Sequence, residues 1–390
     1  MGSAQRLPPN EEKPRRQRPG IFSALIALDP QTDCKGSAFA GVQGQRPWPC
    51  LPMTRVAHVM AGAAMGGAEL FFERLCLGLA AAGEEVLPVI RRNPVRAERL
   101  RAGGLAPVEL AFGGRLDLLT RPRLRAALRT FAPQVVVSWM SRASQHTPRG
   151  DWTLVGRLGG YYDLRYYRGC DHLVGNTQGI VDWLRTQGWP QACTHYVPNF
   201  VTDFSGVPPA VDLPAGRPLL LALGRLHTDK GFDALLRAMP LLPGVHLAIA
   251  GEGPERAALA ALAAREHVAD RVHFLGWRSD AGALLRAADL FVCSSRIEPL
   301  GNMVIEAWSA GCPLVAADAA GPRELVRDGA DGVMVPKEDP AALARAIAGL
   351  LADPARAAAL AQAGRRRFEG EFSAATVVAR WRAFLAEVVK

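Results

Sequence analysis

From Met53 onward, short apolar runs alternate with longer stretches whose apolar residues recur at helical spacing. Runs rich in Val, Ile and Leu predict buried strands, and the Ala-, Leu- and Arg-rich stretches between them predict helices. In the first half, the predicted strands are Arg55–Met60, Glu85–Ile90, Gln134–Trp139 and Asp171–Gly175, and the predicted helices are Glu69–Ala82, Arg121–Phe131 and Gln178–Gln187. This alternation is typical of a parallel sheet with crossover helices.

The second half repeats the alternation after a proline-rich stretch at 197–210. Its predicted strands are Leu219–Leu223, His246–Ala250, Arg271–Leu275, Leu290–Ser294, Pro313–Ala317 and Gly332–Val335. We therefore predict an α/β protein with two Rossmann-like doubly wound domains that face each other across a cleft. The predicted divisions are an extension at 1–52, an N-terminal acceptor-binding domain at 53–200, a linker at 201–213, a C-terminal donor-binding domain at 214–372 and a final helix at 373–390 that can pack back on the N-terminal domain.

Residues 1–52 differ from the rest of the chain because they are rich in proline and carry a basic cluster at 13–18. Their one apolar run, Ile21–Leu28, is followed at once by Asp29 and Pro30, which argues against an ordinary signal peptide. We expect a disordered extension or an upstream start that adds nothing to the fold. Elsewhere no apolar run reaches the roughly 18 residues of a membrane-spanning helix.

The composition fits a globular protein with an anionic partner. Of the 390 residues, 49% are hydrophobic, which is too many for a disordered chain. The net charge of +9 by itself leaves nucleic acid, lipid headgroups and phosphorylated substrates open as partners. Seven scattered cysteines without a C-x-x-C pair predict reduced thiols in the cytoplasm.

A loop with two cations follows the first strand of the second half. Arg225 and Lys230 lie between Gly224 and Gly231, and glycines allow backbone N–H groups to approach a ligand. An Arg fork and a Lys point charge together suit a diphosphate. A capped loop with solvated charges is the alternative.

A second loop, at 294–307, carries two carboxylates eight positions apart. Glu298 precedes a helix that begins with Gly301 and Asn302, and Glu306 follows about two helical turns later. The N-terminus of that helix offers N–H donors to a phosphate, while the carboxylates can accept from sugar hydroxyls. A solvated helix face explains the same spacing.

Taken together, these residues resemble the retaining glycosyltransferases of family 4, which have the glycosyltransferase-B fold. The resemblance covers about 53–390 and is carried by the order and spacing of Gly66–Glu69, Pro198–Asn199, Gly224–Arg225 with Lys230, Gly251–Pro254, Phe274–Gly276, Glu298 with Glu306, Gly321–Glu324 and Asp331–Pro336. It implies transfer of a sugar from a nucleotide-diphosphate sugar, UDP-linked rather than GDP-linked, to a cell-surface glycan or glycolipid, in lipopolysaccharide core or polysaccharide biosynthesis.

The resemblance also implies roles for individual residues. Arg225 and Lys230 would hold the diphosphate, Glu306 the ribose, and Glu298 the donor sugar. The expected catalytic residues are Arg225, Lys230 and Glu298, and the expected donor-binding residues are Gly66, Gly67, Gly224, Gly301, Asn302, Glu306 and Trp277. Close packing of strand and helix is the alternative for the first glycine pair. The chain has no Asp-x-Asp pair, so we expect neither a metal nor another cofactor.

One position departs from the family pattern. Where members often have a His or Asp after the fourth strand, this chain has Trp139 and Met140. Arg142 and His146 are near in sequence but do not match that position. A run with four tyrosines at 161–167 predicts either a surface on which a sugar stacks or buried edge packing.

Other enzymes use similar sheets. A dinucleotide-dependent oxidoreductase is disfavoured because no G-x-G-x-x-G motif follows the first strand. A sugar-nucleotide epimerase and a non-catalytic nucleotide-sugar-binding protein stay open as alternatives.

The excess positive charge lies in one stretch at 91–129, which contains ten arginines and only three acidic residues, Glu98, Glu109 and Asp117. Arg121, Arg125 and the following Arg129 recur at i,i+4 spacing, where like charges repel. We predict that this stretch meets anionic lipid or phosphorylated lipopolysaccharide core, rather than nucleic acid, and that the protein lies peripherally on the inner leaflet of the cytoplasmic membrane. A merely solvated basic face is the alternative.

Overall fold

The computed structural model of the chain describes residues 52–63, 66–113, 117–214 and 216–389. The extension predicted at 1–52 lies outside these residues except for Pro52. Within the described ranges, no helix combines the length and apolar character needed to cross a bilayer.

The first half of the chain forms a sheet of seven parallel strands in the order β3-β2-β1-β4-β5-β6-β7. The strands are β1 (Arg55–Met60), β2 (Glu85–Arg91), β3 (Val108–Leu110), β4 (Val135–Trp139), β5 (Thr153–Leu158), β6 (His172–Gly175) and β7 (Thr194–Tyr196). The helices are α1 (Gly67–Ala81), α2 (Pro94–Ala102), α3 (Thr120–Phe131), α4 (Met140–His146) and α5 (Gln178–Thr186).

The second half forms a sheet of six parallel strands in the order β10-β9-β8-β11-β12-β13. The strands are β8 (Leu219–Leu223), β9 (His246–Ala250), β10 (Val272–Gly276), β11 (Leu290–Cys293), β12 (Leu314–Ala317) and β13 (Val333–Val335). The helices are α6 (Phe232–Ala238), α7 (Arg256–Arg265), α8 (Ala281–Ala287), α9 (Asn302–Ala310), α10 (Ala320–Leu325), α11 (Pro340–Ala352), α12 (Pro354–Arg367) and α13 (Ala374–Val388).

These sheets confirm the prediction of an α/β protein with two Rossmann-like parallel sheets. Every predicted strand is present, with bounds that differ by at most one residue at either end. In both sheets the strand order reverses beside the first strand, at β1 and β4 and again at β8 and β11. Open α/β sheets bind ligands at such reversals, beyond the carboxyl ends of the strands.

The final helix, α13, packs on the first sheet although the chain has already completed the second. Trp381 and Phe384 belong to a buried cluster that includes residues of β1, α1 and β4. Arg382 forms an ion pair of 2.6 Å with Glu84, and both side chains are buried. The Thr153 hydroxyl at the start of β5 donates to the carbonyl oxygen of Val388 at 2.6 Å.

Candidate active site

The loops that follow β8 and β9 contact each other through their backbones. The Leu226 amide donates to the Glu252 carbonyl at 2.9 Å. Gly224 has φ 146° and Gly251 has φ 150°, and a Cβ atom on Gly251 would lie 1.8 Å from the Gly224 carbonyl oxygen. Glycine is therefore required at Gly251, because any side chain would separate the two loops.

Lys230 and Glu298, which the sequence analysis places in the site, form an ion pair. The Lys230 Nζ lies 2.5 Å from Glu298 Oε2, and both side chains are largely buried. The two loops are also joined by Ser294, whose hydroxyl donates to the Lys230 carbonyl at 3.0 Å. Arg225, by contrast, is exposed and has no side-chain partner among the described residues. The site thus presents one paired cation and one cation that is open to a ligand.

The turn before α9 is shaped by Glu298 and Gly301. The Gly301 amide donates to Glu298 Oε1 at 3.3 Å, and the Gly321 amide donates to the Glu298 carbonyl at 2.7 Å. Gly301 has φ 67°, and a Cβ atom there would lie 2.7 Å from a methyl carbon of Leu325. No side chain of the described residues caps α9, so the amides of its first two residues, Asn302 and Met303, are available to an anion.

Glu306 lies on α9 in a different environment from Glu298. Burial, together with the charge of Glu298, raises its pKa to about 7, while Arg74 on α1 opposes this shift. Arg74 belongs to the first sheet domain and Glu306 to the second, so the two domains meet electrostatically at this carboxylate. The carboxyl group can therefore change its ionisation near neutral pH.

A buried carboxylate, that of Glu69, packs against the first glycine of the pair at the start of α1. Glu69 Oε1 accepts from the Ala63 amide at 2.8 Å, and a Cβ atom on Gly66 would lie 2.3 Å from Glu69 Oε2. A Cβ atom on Gly67 would meet nothing within 4 Å among the described residues. The first glycine is thus explained by close packing, whereas packing does not explain the second.

Trp277 lies in the loop after β10 and is 55% exposed. The preceding Gly276 carbonyl accepts from the Gly251 amide at 2.7 Å, which joins this loop to the one after β9. The following Arg278 pairs with Asp280 at 2.6 Å and with Asp212 in the linker. The Trp277 indole therefore lies on an anchored loop and is accessible to the nucleobase of a ligand.

Glu324 joins the two domains, although no pattern in the sequence indicates such a role. Its carboxylate accepts from the Gln178 amide and, at 2.9 Å, from the Gly179 amide. Glu324 lies on α10 of the second domain, and the two amides begin α5 of the first. A carboxylate at a helix N-terminus is favoured by the unpaired N–H groups and by the helix dipole.

A second polar link between the domains was also missed. Arg157 on β5 donates through Nη2 to Asn199 Oδ1, and Asn199 Nδ2 donates to Asn302 Oδ1 at 3.5 Å. The family resemblance included Asn199 in a motif but gave it no role. Arg157 carried no signal, because a buried arginine within a strand cannot be distinguished from a surface one by its spacing.

The residues that replace the family's His or Asp do not form a polar site. Trp139 is fully buried, and its Nε1 donates to His58 Nδ1 at 3.1 Å. Burial lowers the pKa of His58 to about 3, so this imidazole is neutral. Met140 lies beside Gly62, and His146 packs edge-on against Phe112. Burial also lowers the pKa of His146.

The four tyrosines between 161 and 167 do not share one surface. Tyr167 is fully buried, and burial raises its pKa above the ordinary range. Tyr161 is 60% exposed and packs edge-on against Trp183 with ring centroids 5.3 Å apart. Tyr167 therefore fits the buried edge packing, whereas the exposed ring of Tyr161 is accessible to a sugar.

The ten arginines between 91 and 129 do not form one face. Arg96 is 1% exposed and, like Arg99, pairs with the buried carboxylate of Glu73. Arg101 pairs with a carboxylate of β3, and Arg115 lies outside the described residues. Not all arginines of this stretch are therefore free to meet an anionic partner, because a buried carboxylate requires cationic partners. The six others are exposed: Arg91, Arg92, Arg121, Arg123, Arg125 and Arg129.

Two family models match the chain. Residues 65–203 match the model described as Glycosyltransferase Family 4, and residues 217–353 match the model described as Glycosyl transferases group 1. Each match falls on one of the two sheets. Fold and matches together define the chain as a glycosyltransferase with two Rossmann-like domains.

Curated relatives agree with this class. A lipopolysaccharide core biosynthesis glycosyltransferase, LpsE of Rhizobium meliloti, is 36% identical over 320 residues, which are 79% of this chain and 92% of the relative. A second such enzyme, LpsD of the same organism, is 34% identical over 82% of this chain and 94% of its own length. The chain therefore belongs to glycosyltransferase family 4.

Solved structures show the same fold at low identity. The crystal structure of Anabaena HepE in complex with UDP has a TM-score of 0.73 and 21% identity, and the match covers 85% of this chain and 100% of that one. WaaG, described as a glycosyltransferase involved in lipopolysaccharide biosynthesis, has a TM-score of 0.61 and 17% identity, with coverage of 86% and 99%. Both have the two-domain glycosyltransferase-B architecture.

Proposed function

We propose that this enzyme transfers a sugar, with retention of anomeric configuration, from a nucleotide-diphosphate sugar to a glycan or glycolipid acceptor of the cell surface. The names of LpsE and LpsD support lipopolysaccharide core biosynthesis as the setting. HepE, which shares the fold, has been crystallised with UDP and with UDP-glucose, which supports a UDP-linked donor.

The observation that carries the proposal is the meeting of Lys230 and Glu298 in front of the uncapped N-terminus of α9, with Arg225 exposed on the same loop as Lys230. Cleavage of the sugar–phosphate bond places negative charge on the departing diphosphate. Fixed cations and helix N–H groups stabilise that charge more in the transition state than in the ground state.

Retention is expected from attack on the face that the diphosphate leaves. In this arrangement, an oxygen of the leaving phosphate accepts the proton of the acceptor hydroxyl, and the new glycosidic bond forms where the old bond breaks. Glu298 would hold the donor sugar through its hydroxyls while Lys230 holds the phosphate. The configuration of the product, read from its anomeric NMR coupling, tests this step directly.

We expect metal independence because of the same residues. The two cations supply the positive charge that a divalent metal supplies in other nucleotide-sugar enzymes. Transfer activity should therefore be complete in excess EDTA. A loss of activity in EDTA that added Mg²⁺ or Mn²⁺ restores would reject this part of the proposal.

A donor screen separates the remaining alternatives. Nucleotide release from UDP- and GDP-sugars is measured with and without a lipopolysaccharide core acceptor. Acceptor-dependent release indicates a transferase, a change of the sugar without any acceptor indicates an epimerase, and binding without reaction indicates a non-catalytic protein.

Lys230→Ala tests the cationic loop. We expect transfer to fall by about 100-fold or more, because one electrostatic stabiliser of a transition state contributes about 3 kcal/mol. Lys337→Ala is the matched control, since Lys337 is exposed on the same domain after β13. Initial rates and thermal unfolding are measured for both variants. Near-normal turnover of a folded Lys230→Ala protein would remove Lys230 from the mechanism.

We also propose that the N-terminal domain binds an anionic membrane surface on the cytoplasmic side. Six arginines of 91–129 are exposed without a carboxylate partner among the described residues, and four of them lie on α3. Two leucines before α3 are exposed as well, Leu118 by 81% and Leu119 by 58%. Basic side chains beside exposed apolar ones are typical of a surface that lies in the membrane interface.

A further inference from the structure

Arg157 is a buried cation without a carboxylate partner among the described residues. It is 1% exposed, and its guanidinium carbon lies 4.3 Å from the Trp139 ring centroid and 4.9 Å from that of Phe71. Burial lowers its pKa to about 9, which leaves it charged at neutral pH. The aromatic faces compensate the charge in part, and Asn199 provides an oxygen acceptor.

The direction of each hydrogen bond along this link is fixed by chemistry. A guanidinium only donates, so the Asn199 atom that faces Arg157 must be the amide oxygen. The Asn199 nitrogen then faces Asn302 and donates to its Oδ1 at 3.5 Å. The amide nitrogen of Asn302 consequently points away from Asn199, and it has no partner among the described residues.

Asn302 stands where a ligand is expected. It is the first residue of α9, directly after Gly301, whose amide contacts Glu298. With Asn176 and Asn199 it lines a small pocket between the two domains. Asn176 is 6% exposed, and its Oδ1 is buried without a partner in the described part of the chain. The pocket thus combines an amide donor with a buried acceptor that lacks a hydrogen bond.

A hydroxyl group both accepts and donates, so it can satisfy the Asn302 amide and the Asn176 oxygen together. We propose that Asn302 and Asn176 form a subsite for one hydroxyl of the transferred sugar, and that Arg157 and Asn199 are positioning residues that keep the Asn302 amide pointing toward it. This inference depends on the proposed function. The long Asn199–Asn302 bond is expected to shorten when the donor is bound.

Asn199→Asp tests the positioning. The new carboxylate still accepts from Arg157, but it has no N–H to donate, so the Asn302 amide must rotate and donate to that carboxylate. An oxygen would then face the sugar hydroxyl in place of an N–H. We expect affinity for the sugar nucleotide to fall about tenfold, and affinity for the corresponding nucleoside diphosphate to stay unchanged.

The ligands used are UDP-glucose, UDP-galactose, UDP-N-acetylglucosamine and GDP-mannose, together with UDP and GDP, and binding is measured by calorimetry. Asn302→Ala and Asn176→Ala should lower sugar-nucleotide affinity by a similar factor. Asn199→Asp should cause no further loss in an Asn302→Ala background, because Asn199 acts through Asn302. Asn93→Asp is the matched control, since aspartate also caps α2 there.

The outcomes distinguish a failure of the proposed function from a failure of the subsite. If the wild-type protein binds none of the four sugar nucleotides and releases no nucleotide from any donor of the screen, the proposed function is rejected and the subsite with it. If the wild-type protein binds a sugar nucleotide and the Asn199→Asp variant binds it equally well, only the subsite is rejected. The subsite is also rejected if the effects of Asn199→Asp and Asn302→Ala on affinity add. If the variants raise only the KM of the acceptor, the hydroxyl belongs to the acceptor and the assignment to the transferred sugar is wrong.

Discussion

At the scale of single residues, the two carboxylates of the second loop have different surroundings. Glu298 accepts from the Lys230 ammonium and from the Gly301 amide. Burial and the charge of Glu298 raise the pKa of Glu306 to about 7, and the charge of Arg74 opposes this shift. Two carboxylates eight positions apart can thus serve different functions because their environments differ.

A pH dependence of donor binding follows for Glu306. If its carboxylate accepts from ribose hydroxyls, binding favours the ionised form and lowers the pKa of this group. Affinity should then rise as the pH increases through about 7, level off above it, and be accompanied by proton release below it. Calorimetry in buffers of different ionisation enthalpy measures the released proton.

Glu306→Gln is the matched variant, because glutamine keeps the size and loses the titration. We expect its affinity to show no such pH dependence and to be about tenfold weaker than that of the wild type above neutrality. Equal affinity of the wild type at about pH 6 and about pH 8 would contradict the role of Glu306.

The sequence predicts functional residues in the cationic loop and in the carboxylate loop, because each loop carries its chemistry within a few positions of a glycine. It did not identify Arg157 and Glu324, which act on partners more than 40 and 140 positions away. Nothing local distinguishes such residues, since their role is created only when distant elements meet.

At the scale of elements, the strand predictions succeeded where apolar runs were long and failed where they were short or mixed. The missed strands β3 and β7 have three residues each, and β5 contains Gly156 and Arg157. In β5 the small residue is required, because a Cβ atom on Gly156 would lie 2.7 Å from the Tyr167 ring. Helices α2 and α4 were missed because they are short and polar.

The buried ion pair that anchors α13 gives a prediction for stability. Arg382→Met leaves the Glu84 carboxylate buried without this cation, so we expect the free energy of unfolding to fall by about 3 to 5 kcal/mol. Arg380→Met, on the same helix and partly exposed, should change it by less than about 1 kcal/mol. Urea unfolding followed by tryptophan fluorescence measures both variants. Equal stability of the two would show that apolar packing alone holds α13.

At the scale of the whole molecule, the net charge of +9 does not describe a uniform surface. Arg96 and Arg99 neutralise a buried carboxylate, whereas the arginines of α3 are exposed beside Leu118 and Leu119. The proposed membrane face is therefore one helix and the turn before it, smaller than the stretch the sequence indicated.

This face predicts membrane binding that can be measured with vesicles. Replacing Arg121, Arg125 and Arg129 by Gln should lower sedimentation with anionic vesicles by at least tenfold at low salt, at about 1 kcal/mol for each charge. The control replaces Arg265, Arg345 and Arg356, exposed arginines of the second domain, by Gln, and removes the same net charge. Wild-type protein that stays in solution with anionic vesicles, or an equal loss in both triple variants, would contradict the proposal.

The sequence by itself determined two parallel sheets, the loops at their carboxyl ends and the family, because periodicity and glycine spacing are local properties. Only the tertiary structure decided which charged residues are used in the interior, how Glu324 and the Arg157–Asn199–Asn302 link connect the domains, and where α13 lies. The physical reason is that burial and hydrogen-bond direction depend on which distant groups surround a side chain, and a linear pattern does not contain that information.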